Sequence, residues 1–252
     1  MIRGVRATLR KFARYVGGGS VTTEGGGDEK LLGVGLYTVS ESVGVICHRL
    51  GDRVDNRLLL RWAQGRKEIA RVYGSIISAP RMVEGEYLFT FFQLIELLTI
   101  AAFRSHGVKP RVIRRAYERA LQKFGSHPFA REGYRTDGAY IYTSDREPAS
   151  EELSKQQMFF EDVVRPILMD VSYVDGNAAQ FSPLGKKRSV VLDPKVSFGA
   201  PIDRKSGVST AVLFAMRHSG ESEESVADWY GVSVDAVQDA FEYESSIRKI
   251  AA

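Results

Sequence analysis

The apolar residues of this chain recur mostly three or four positions apart, which is the spacing of amphipathic helices. This pattern predicts four helices in the first half of the chain, over residues 37–51, 52–65, 91–107 and 109–125. Ser40 is a candidate N-cap of the first helix, and Gly51 is expected to end it. The first two helices are short and surround a turn, whereas the second two form a longer pair.

Runs of β-branched and aromatic residues predict strands around these helices. Residues 71–80 and 85–91 are expected to pair as a two-stranded wing. Within 134–143, Asp137-Gly138 lies between alternating apolar positions and predicts a tight hairpin. Asp137 is therefore interpreted as a turn residue rather than as a catalytic acid.

In the second half, residues 155–177 predict an amphipathic helix that kinks or ends at Pro166. The stretch VVLDPKVSFGAPID, residues 190–203, combines a short apolar run with turn-forming residues. We interpret it as two short extended pieces rather than as a reactive loop, and pairing of these pieces across a dimer is one hypothesis. A short helix is expected over 206–220.

Residues 220–244 predict a second pair of helices around a tight turn. A small residue, a glycine suited to a left-handed turn and an apolar residue have helix-turn-helix spacing: Ala227, Gly231 and Val237. Ser222 and Ser233 are well placed as N-caps. The fold class expected from all these elements is mainly α with small β-hairpins.

Four regions are predicted from these elements. They are a flexible basic leader with a Gly/Ser-rich linker, a winged helix-turn-helix domain, a connecting helix with its linker, and a C-terminal helix-turn-helix domain with short strands, over residues 1–35, 36–149, 150–182 and 183–252.

The two parts of the chain differ in charge. Residues 1–150 contain 24 Lys and Arg against 15 Asp and Glu, whereas residues 151–252 contain 11 against 16. The basic part suggests a polyanionic partner, and the acidic part suggests a different one. Unevenly distributed, solvated surface charge is the alternative interpretation.

Several classes of protein are disfavoured by what the sequence contains. Cys47 is the single cysteine, which excludes an internal disulfide and suits a reducing cytoplasm. The four histidines have no metal-ligand spacing, and we find no nucleophile–histidine or His–Glu metal motif, so neither an enzyme, a metal site nor a cofactor is expected. The longest apolar run is broken by Gln93 and Glu96, which argues against a membrane span.

The helix pair at 37–65 has the layout of a helix-turn-helix, whose second, basic helix can enter the major groove of DNA. We predict contacts to operator DNA from this motif at Arg53, Asn56, Arg57 and Arg61. Phosphate contacts are predicted from its exit and the wing at Arg66, Lys67 and Arg81. The basic residues of the longer helix pair, such as Arg104 and Arg114, could also flank a phosphate backbone. A helical hairpin with a polar face is an equal alternative for the first pair alone.

The C-terminal helix pair differs, because its second helix carries four acidic residues before any Lys or Arg: Asp235, Asp239, Glu242 and Glu244. Carboxylates repel DNA phosphates, so this pair is expected to serve packing, dimerisation or a protein partner. The predicted dimer or partner interface comprises Phe159, Val163, Ile167, Val191, Phe198, Trp229 and Phe241. Trp62 and Trp229 are interpreted as core anchors rather than as base-stacking platforms.

The order of helix pair, wing and longer helix pair resembles the MerR-like winged-helix DNA-binding domain. The resemblance rests on YTVSESV (37–43), LLLRW (58–62) and the residues 91–116. The turn HRLGDRVDN departs from the more familiar Gly-Val-Ser turn, so the register of the recognition helix stays open.

The C-terminal array of 190–203, GVSTAVLFA and the helix pair at 220–244 resembles a domain-of-unknown-function family found in bacterial antitoxins. Behind a MerR-like domain, and with the connecting FFEDVVRPIL, the layout resembles VapB-type antitoxins. The resemblance covers roughly residues 35–247. It implies a self-associating, DNA-binding protein that neutralises a PIN-like ribonuclease toxin and represses its own operon.

Two other hypotheses stay open at this point. A stand-alone MerR-like regulator would use its second half to dimerise or to sense an organic effector, and its DNA affinity would respond to a ligand without any toxin. An enzyme would need converging carboxylates or a nucleophile–base pair, which the sequence does not indicate.

Overall fold

A computed structural model describes four stretches of the chain, residues 34–51, 54–68, 71–143 and 160–251. The backbone alone is described at residues 66–68, 71–73, 140–143 and 251. Leu32–Ala252 forms one compact unit. The predicted leader and linker, 1–35, lies outside the described residues except at its end.

Helices alternate with short hairpins. The helices are α1 (Val39–Leu50), α2 (Asn56–Gln64), α3 (Phe91–Ser105), α4 (Pro110–Phe124), α5 (Glu132–Thr143), α6 (Arg165–Met169), α7 (Thr210–His218), α8 (Glu223–Tyr230) and α9 (Val234–Ala251). The strands are β1 (Leu36–Thr38), β2 (Arg66–Glu68), β3 (Arg71–Tyr73), β4 (Arg81–Val83), β5 (Glu86–Thr90), β6 (Val171–Val174), β7 (Asn177–Phe181), β8 (Val190–Leu192) and β9 (Pro201–Asp203). They form antiparallel sheets in the orders β1-β5-β4, β2-β3 and β6-β7-β8-β9. The expected class, mainly α with small β elements, is confirmed.

A capping box starts α1. The Thr38 hydroxyl accepts a hydrogen bond from the backbone N–H of Glu41, and the Glu41 carboxylate accepts one from the backbone N–H of Thr38. Ser40, the predicted cap, lies inside the helix, so that prediction is wrong. Gly51 ends α1 with a φ of 70°, as predicted.

The predicted wing divides into two separate hairpins. β3 pairs with β2, whereas β5 pairs with β4 and β1. The predicted pairing of 71–80 with 85–91 is therefore wrong. Glu84 and Gly85 both have positive φ between β4 and β5, which is the geometry of a tight type I′ hairpin.

α3 and α4 occupy the predicted positions of the longer helix pair, and Gly107 takes a φ of 80° between them. Gln93 completes a capping box with Thr90 at the start of α3. The buried Gln93 amide also donates to the carbonyl oxygens of Ser78 at 3.1 Å and Ala79 at 3.0 Å. The segment between β3 and β4 is thereby attached to α3.

Residues 132–143 are helical, so the predicted Asp137-Gly138 hairpin is wrong. Gly138 faces the ring of Phe160, and a Cβ atom at this position would overlap that ring. The glycine therefore permits close packing rather than a turn. Asp137 lies on α5, where its carboxylate accepts a hydrogen bond from Lys123 Nζ at 2.7 Å.

A different Asp-Gly pair forms the hairpin. β6 and β7 are joined by Asp175 and Gly176, with φ values of 50° and 73°. The helix predicted over 155–177 ends at Met169, and the part of it that lies beyond Met169 is wrong. A π-helical turn passes into α6 beside Pro166, which agrees with the predicted kink.

β8 and β9 come from the stretch 190–203 and pair with each other, with Val191 opposite Ile202. They form a hairpin within the chain, and the hypothesis that they also pair across a dimer stays a prediction. Between them, the Gly199 carbonyl accepts a buried hydrogen bond from the Tyr37 hydroxyl at 2.9 Å. Burial raises the pKa of Tyr37 well above its ordinary value, so the hydroxyl stays a donor.

α8 and α9 confirm the predicted C-terminal helix pair. Ser222 and Ser233 each accept a backbone N–H at the start of a helix, and Gly231 ends α8 in the left-handed region with a φ of 63°. The inner faces of α7, α8 and α9 meet in a small apolar cluster that contains Leu213, Val226, Ala227, Val237 and Ala240.

A larger hydrophobic core runs from Tyr37 to Leu192 in the described chain and includes residues on both sides of position 149. The C-terminal helix also packs on α1, where a Cβ at Gly44 would lie 3.2 Å from Ile247 Cγ2. The N-terminal helix pair and the C-terminal helices are therefore in direct contact. The division into domains at 149 and 182 stays a prediction.

Candidate nucleic-acid interface

α2 has one apolar and one polar face. Leu59, Trp62 and Ala63 are buried in the core. Asp55 starts the helix by accepting the backbone N–H of Leu58 at 2.7 Å. The opposite face is exposed and carries Asn56, Arg57 and Arg61.

The two arginines of this face are available to an anion. Arg57 and Arg61 are one helical turn apart, so they project from the same side of α2. Neither guanidinium group forms an ion pair or hydrogen bond with any other part of the described chain. The Asn56 amide donates to Ser40 Oγ at 3.2 Å, which leaves its carbonyl oxygen as an acceptor. Two guanidinium groups and an amide along one exposed helix face can bind phosphates or the acceptor edge of guanine.

The other predicted DNA contacts are placed less completely. Arg53 lies outside the described residues. Arg66 and Lys67 lie in β2, where the backbone alone is described. Arg81 lies in β4 and is half-buried. The described side chains thus bring Asn56, Arg57 and Arg61 together, whereas the contribution of the wing stays a prediction.

Two basic residues of the longer helix pair are used within the protein. Arg114 donates to the carbonyl oxygens of Gly74 at 2.6 Å and Ser75 at 3.3 Å. Arg104 donates to the carbonyl oxygen of Val108 at 2.6 Å. These arginines hold loops in place, so they are poorly suited to phosphate contacts. The use of Arg114 could not be predicted from the sequence, because spacing along the chain does not show which distant carbonyl groups will approach a side chain.

Most acidic side chains of α9 also form contacts within the chain. Asp239 and Glu242 accept hydrogen bonds from Arg188, each at 2.6 Å. Asp239 further accepts the backbone N–H of Ser189 at 2.7 Å. Buried Glu244 accepts the hydroxyl of Thr210 at 2.6 Å. These carboxylates attach α9 to β8 and α7, which accounts for an acidic second helix without any role at DNA.

The predicted interface residues differ in exposure. Ile167 and Val191 are buried in the chain, and Val163 and Phe198 are half-buried. Phe241 is 37% exposed and stacks on Phe214. Phe159 lies outside the described residues. The interface as a whole stays a prediction.

The two tryptophans differ. Trp62 is 3% exposed and is a core anchor, as predicted. Trp229 is 59% exposed, so its interpretation as a core anchor is wrong. The reason is its position on α8, where Val226 and Ala227 face inward and Trp229 faces outward.

A cleft of about 380 Å³ opens between α1 and α9. Its charged lining includes Arg49 and Asp170, which form an ion pair of 2.7 Å, and Glu242. His48 lines it as well, with Nδ1 2.5 Å from Ser246 Oγ. Burial lowers the pKa of His48, and the nearby Glu242 carboxylate opposes this effect.

The described part of the chain contains no group of three His, Cys, Asp or Glu residues placed to hold a metal ion. None of its helices is long and apolar enough to cross a membrane.

Comparisons with known proteins agree with the C-terminal pattern. Residues 190–243 match the family described as "Protein of unknown function (DUF433)". Over 239 residues the chain is 27% identical to the Mycobacterium tuberculosis (strain ATCC 25618 / H37Rv) protein named "Putative antitoxin VapB45", which covers 86% of this chain and 98% of that protein. A crystal structure of Rv2018 from Mycobacterium tuberculosis is similar with a TM-score of 0.66 and 26% identity, covering 83% of this chain and 98% of that one.

These similarities confirm two sequence expectations, the resemblance to a protein named as an antitoxin and a C-terminal segment of a domain-of-unknown-function family. The MerR-like assignment, the DNA contacts and the PIN-like partner stay predictions.

Proposed function

We propose that this protein is the antitoxin of a type II toxin–antitoxin system. It binds a PIN-like ribonuclease toxin directly, associates with itself, and regulates its own operon by binding operator DNA. The observation that carries the proposal is the similarity to a protein named as an antitoxin along 98% of that protein's length. A shared single domain would not produce a match of this extent.

The exposed basic face of α2 supports the DNA-binding part of the proposal. Arg57 and Arg61 project together and have no other partner in the described chain. Lys and Arg side chains that neutralise phosphates release counterions, which makes such binding strongly dependent on salt. The acidic α9 is a poor alternative for DNA binding, because most of its carboxylates accept hydrogen bonds from within the chain.

Co-expression tests the neutralising function. The proposal predicts that a nuclease-like protein is encoded beside this gene. That protein is expressed alone and together with the full chain, and growth and RNA cleavage are measured. Growth should stop with the nuclease alone and recover with both proteins. A nuclease that stays fully active in a mixture with excess full chain would contradict the proposal.

The DNA-binding function is tested with two matched double variants. Arg57→Ala/Arg61→Ala should weaken binding to the upstream operator fragment and lower the slope of log affinity against log salt by about 2, because two phosphate contacts are lost. Lys186→Ala/Lys187→Ala removes the same charge from an exposed loop and should change neither. Equal salt slopes for the wild type and the α2 variant would show that Arg57 and Arg61 do not contact the DNA.

The cleft between α1 and α9 supports one alternative, a stand-alone regulator that senses a small molecule. The cleft joins the candidate DNA-binding helix pair to the C-terminal helices, so a ligand there could alter their contact. Such a regulator would change its operator affinity with an organic effector and would neutralise no nuclease.

A further inference from the structure

The outward side of α8 exposes a tryptophan and two acidic residues to solvent. Glu224, Asp228 and Trp229 are exposed on it, and we call these three residues the Trp229 face. An indole that is 59% exposed leaves a large apolar area in water. Tryptophan is enriched among the residues that contribute most to protein interfaces, so this exposure favours a docking role.

The charge around the indole limits what can bind. Glu224 and Asp228 are separated by one helical turn, and exposed Asp235 follows at the start of α9. Asp228 and Asp235 have no ion-pair partner within the described chain. Nucleic acid is excluded by repulsion between these carboxylates and phosphates. A cationic partner would be complementary.

The inner side of α8 forms the contacts that position this helix. Val226 and Ala227 pack against α7 and α9, Ser222 caps the helix, and Gly231 ends it. These contacts hold α8 in place without the indole, so a structural reason for a tryptophan at this position is lacking among the described contacts.

A small recess lies next to this surface along the chain. It measures about 140 Å³ and is lined by the turn Gly231, Val232 and Ser233 and by Asp203, Lys205 and Ser206. Its size suits one short side chain.

We propose that the Trp229 face docks an arginine-bearing segment of a protein partner. The guanidinium stacks on the indole and donates to the carboxylate of the neighbouring Asp228, while the Glu224 carboxylate, further around α8, adds to the attraction of a cationic segment. Arginine suits this arrangement better than lysine, because its planar group stacks and donates at the same time. The identification of this partner with the toxin rests on the proposed function.

A peptide titration tests the chemistry without the toxin. The probe is an alanine-based helical peptide with arginines spaced by four residues, added to the full chain while tryptophan emission is recorded. Emission should change saturably with the arginine peptide, more weakly with a lysine version, and not with a glutamate version. Because Trp62 is buried, the signal should vanish in Trp229→Phe. Equal responses to the arginine and glutamate peptides would overturn the proposal.

Variants of the apolar and of the acidic residues of the Trp229 face test binding to the protein partner. Trp229→Ala should weaken binding to the adjoining nuclease at least about tenfold, as expected for a central interface tryptophan. Glu224→Gln/Asp228→Asn should weaken it and reduce its salt dependence. Met82→Ala, at a residue 60% exposed in β4, is the matched control and should bind normally. Thermal unfolding of all variants should match the wild type.

The outcomes separate the two proposals. If the wild type neutralises the nuclease and Trp229→Ala does so equally well, the docking surface is refuted and the function stands. If the wild type does not bind the nuclease, the function fails and the peptide titration alone decides the surface. A dimer that Trp229→Ala converts to a monomer would overturn the proposal, because a second copy would then occupy this face.

Discussion

Gly138 and Gly176 follow aspartates in similar local sequences, yet they serve different purposes. Gly176 has a positive φ and closes the turn between β6 and β7. Gly138 is helical and lies against the ring of Phe160. Dipeptide turn signals describe the backbone alone, whereas the second position is determined by an aromatic ring from another element. Distant packing of this kind leaves no local trace in the sequence.

Replacement of Gly138 tests this interpretation. Gly138→Ala should lower the free energy of unfolding by about 1–3 kcal/mol, because overlap with Phe160 outweighs the roughly 1 kcal/mol that alanine gains over glycine in a helix. Gly74→Ala is the matched control, since a Cβ there meets nothing within 4 Å. The measurement is urea unfolding of both variants. A Gly138→Ala protein as stable as the control would show that α5 is not packed in this way.

His48 predicts a pH-dependent contribution to stability. Its pKa is lowered from 6.5 mainly by burial and further by Arg49, and it is raised by Glu242. Below pH 6.5 the unfolded chain takes up a proton that the folded protein resists, so this contribution is complete above that pH and is lost as the pH falls. The stability difference between wild type and His48→Gln should therefore shrink from about pH 7 to about pH 5. A difference that grows on acidification, measured by thermal unfolding, would contradict it.

At the scale of elements, α1 shows how a helix start can be misassigned by two residues. Ser40 is a good cap by residue type, but Thr38 has Glu41 three positions later and therefore completes a capping box. A residue preference alone does not distinguish them, whereas the spacing of both partners does.

The true cap of α1 can be identified by alanine substitution. Thr38→Ala should destabilise the protein by about 1 kcal/mol, because the backbone N–H of Glu41 loses its acceptor. Ser40→Ala should change stability by less than about 0.5 kcal/mol, since its side chain is exposed. Denaturant unfolding of the pair provides the measurement, and a reversed order of the two effects would contradict the assignment.

Much of the element pattern could be predicted, and the failures have a common cause. The helical pairs at 37–65, 91–125 and 220–244 were identified because amphipathic spacing and caps are local. The partners of β3 and β5 were assigned wrongly, since these strands are short and their partners are set by tertiary contacts. The candidate site followed the same rule: Arg57 and Arg61 were recognisable from helix periodicity, whereas the internal role of Arg114 was not.

At the scale of the whole molecule, the core connects regions that the sequence separates. Phe160, Leu168, Phe181 and Leu192 belong to the same buried cluster as Trp62 and the core of α3. Arg188 and α9 then attach the C-terminal helices to this body through β8. The described unit is therefore expected to unfold cooperatively.

Cooperative unfolding can be measured at both ends of the molecule. In a Trp229→Phe background, Trp62 fluorescence and far-UV circular dichroism should report one midpoint. Arg188→Met leaves the Asp239 carboxylate, 7% exposed, with the backbone N–H of Ser189 but without its ion-pair partner, and should lower stability by about 1–3 kcal/mol by both probes. A Trp62 midpoint that does not respond to Arg188→Met would show that the two regions unfold separately.

The hydrogen bond from Tyr37 to Gly199 limits how this chain can be recombined with its relatives. The contact requires a tyrosine at one end and a glycine at the other, since a Cβ at Gly199 would overlap the hydroxyl. One end precedes α1, and the other lies inside the segment that matches the DUF433 family. A chimera with a crossover between them keeps the contact only if both parents carry the same pair. The two halves of the protein should therefore be exchanged together in a chimera, although the family match lies only within the second half.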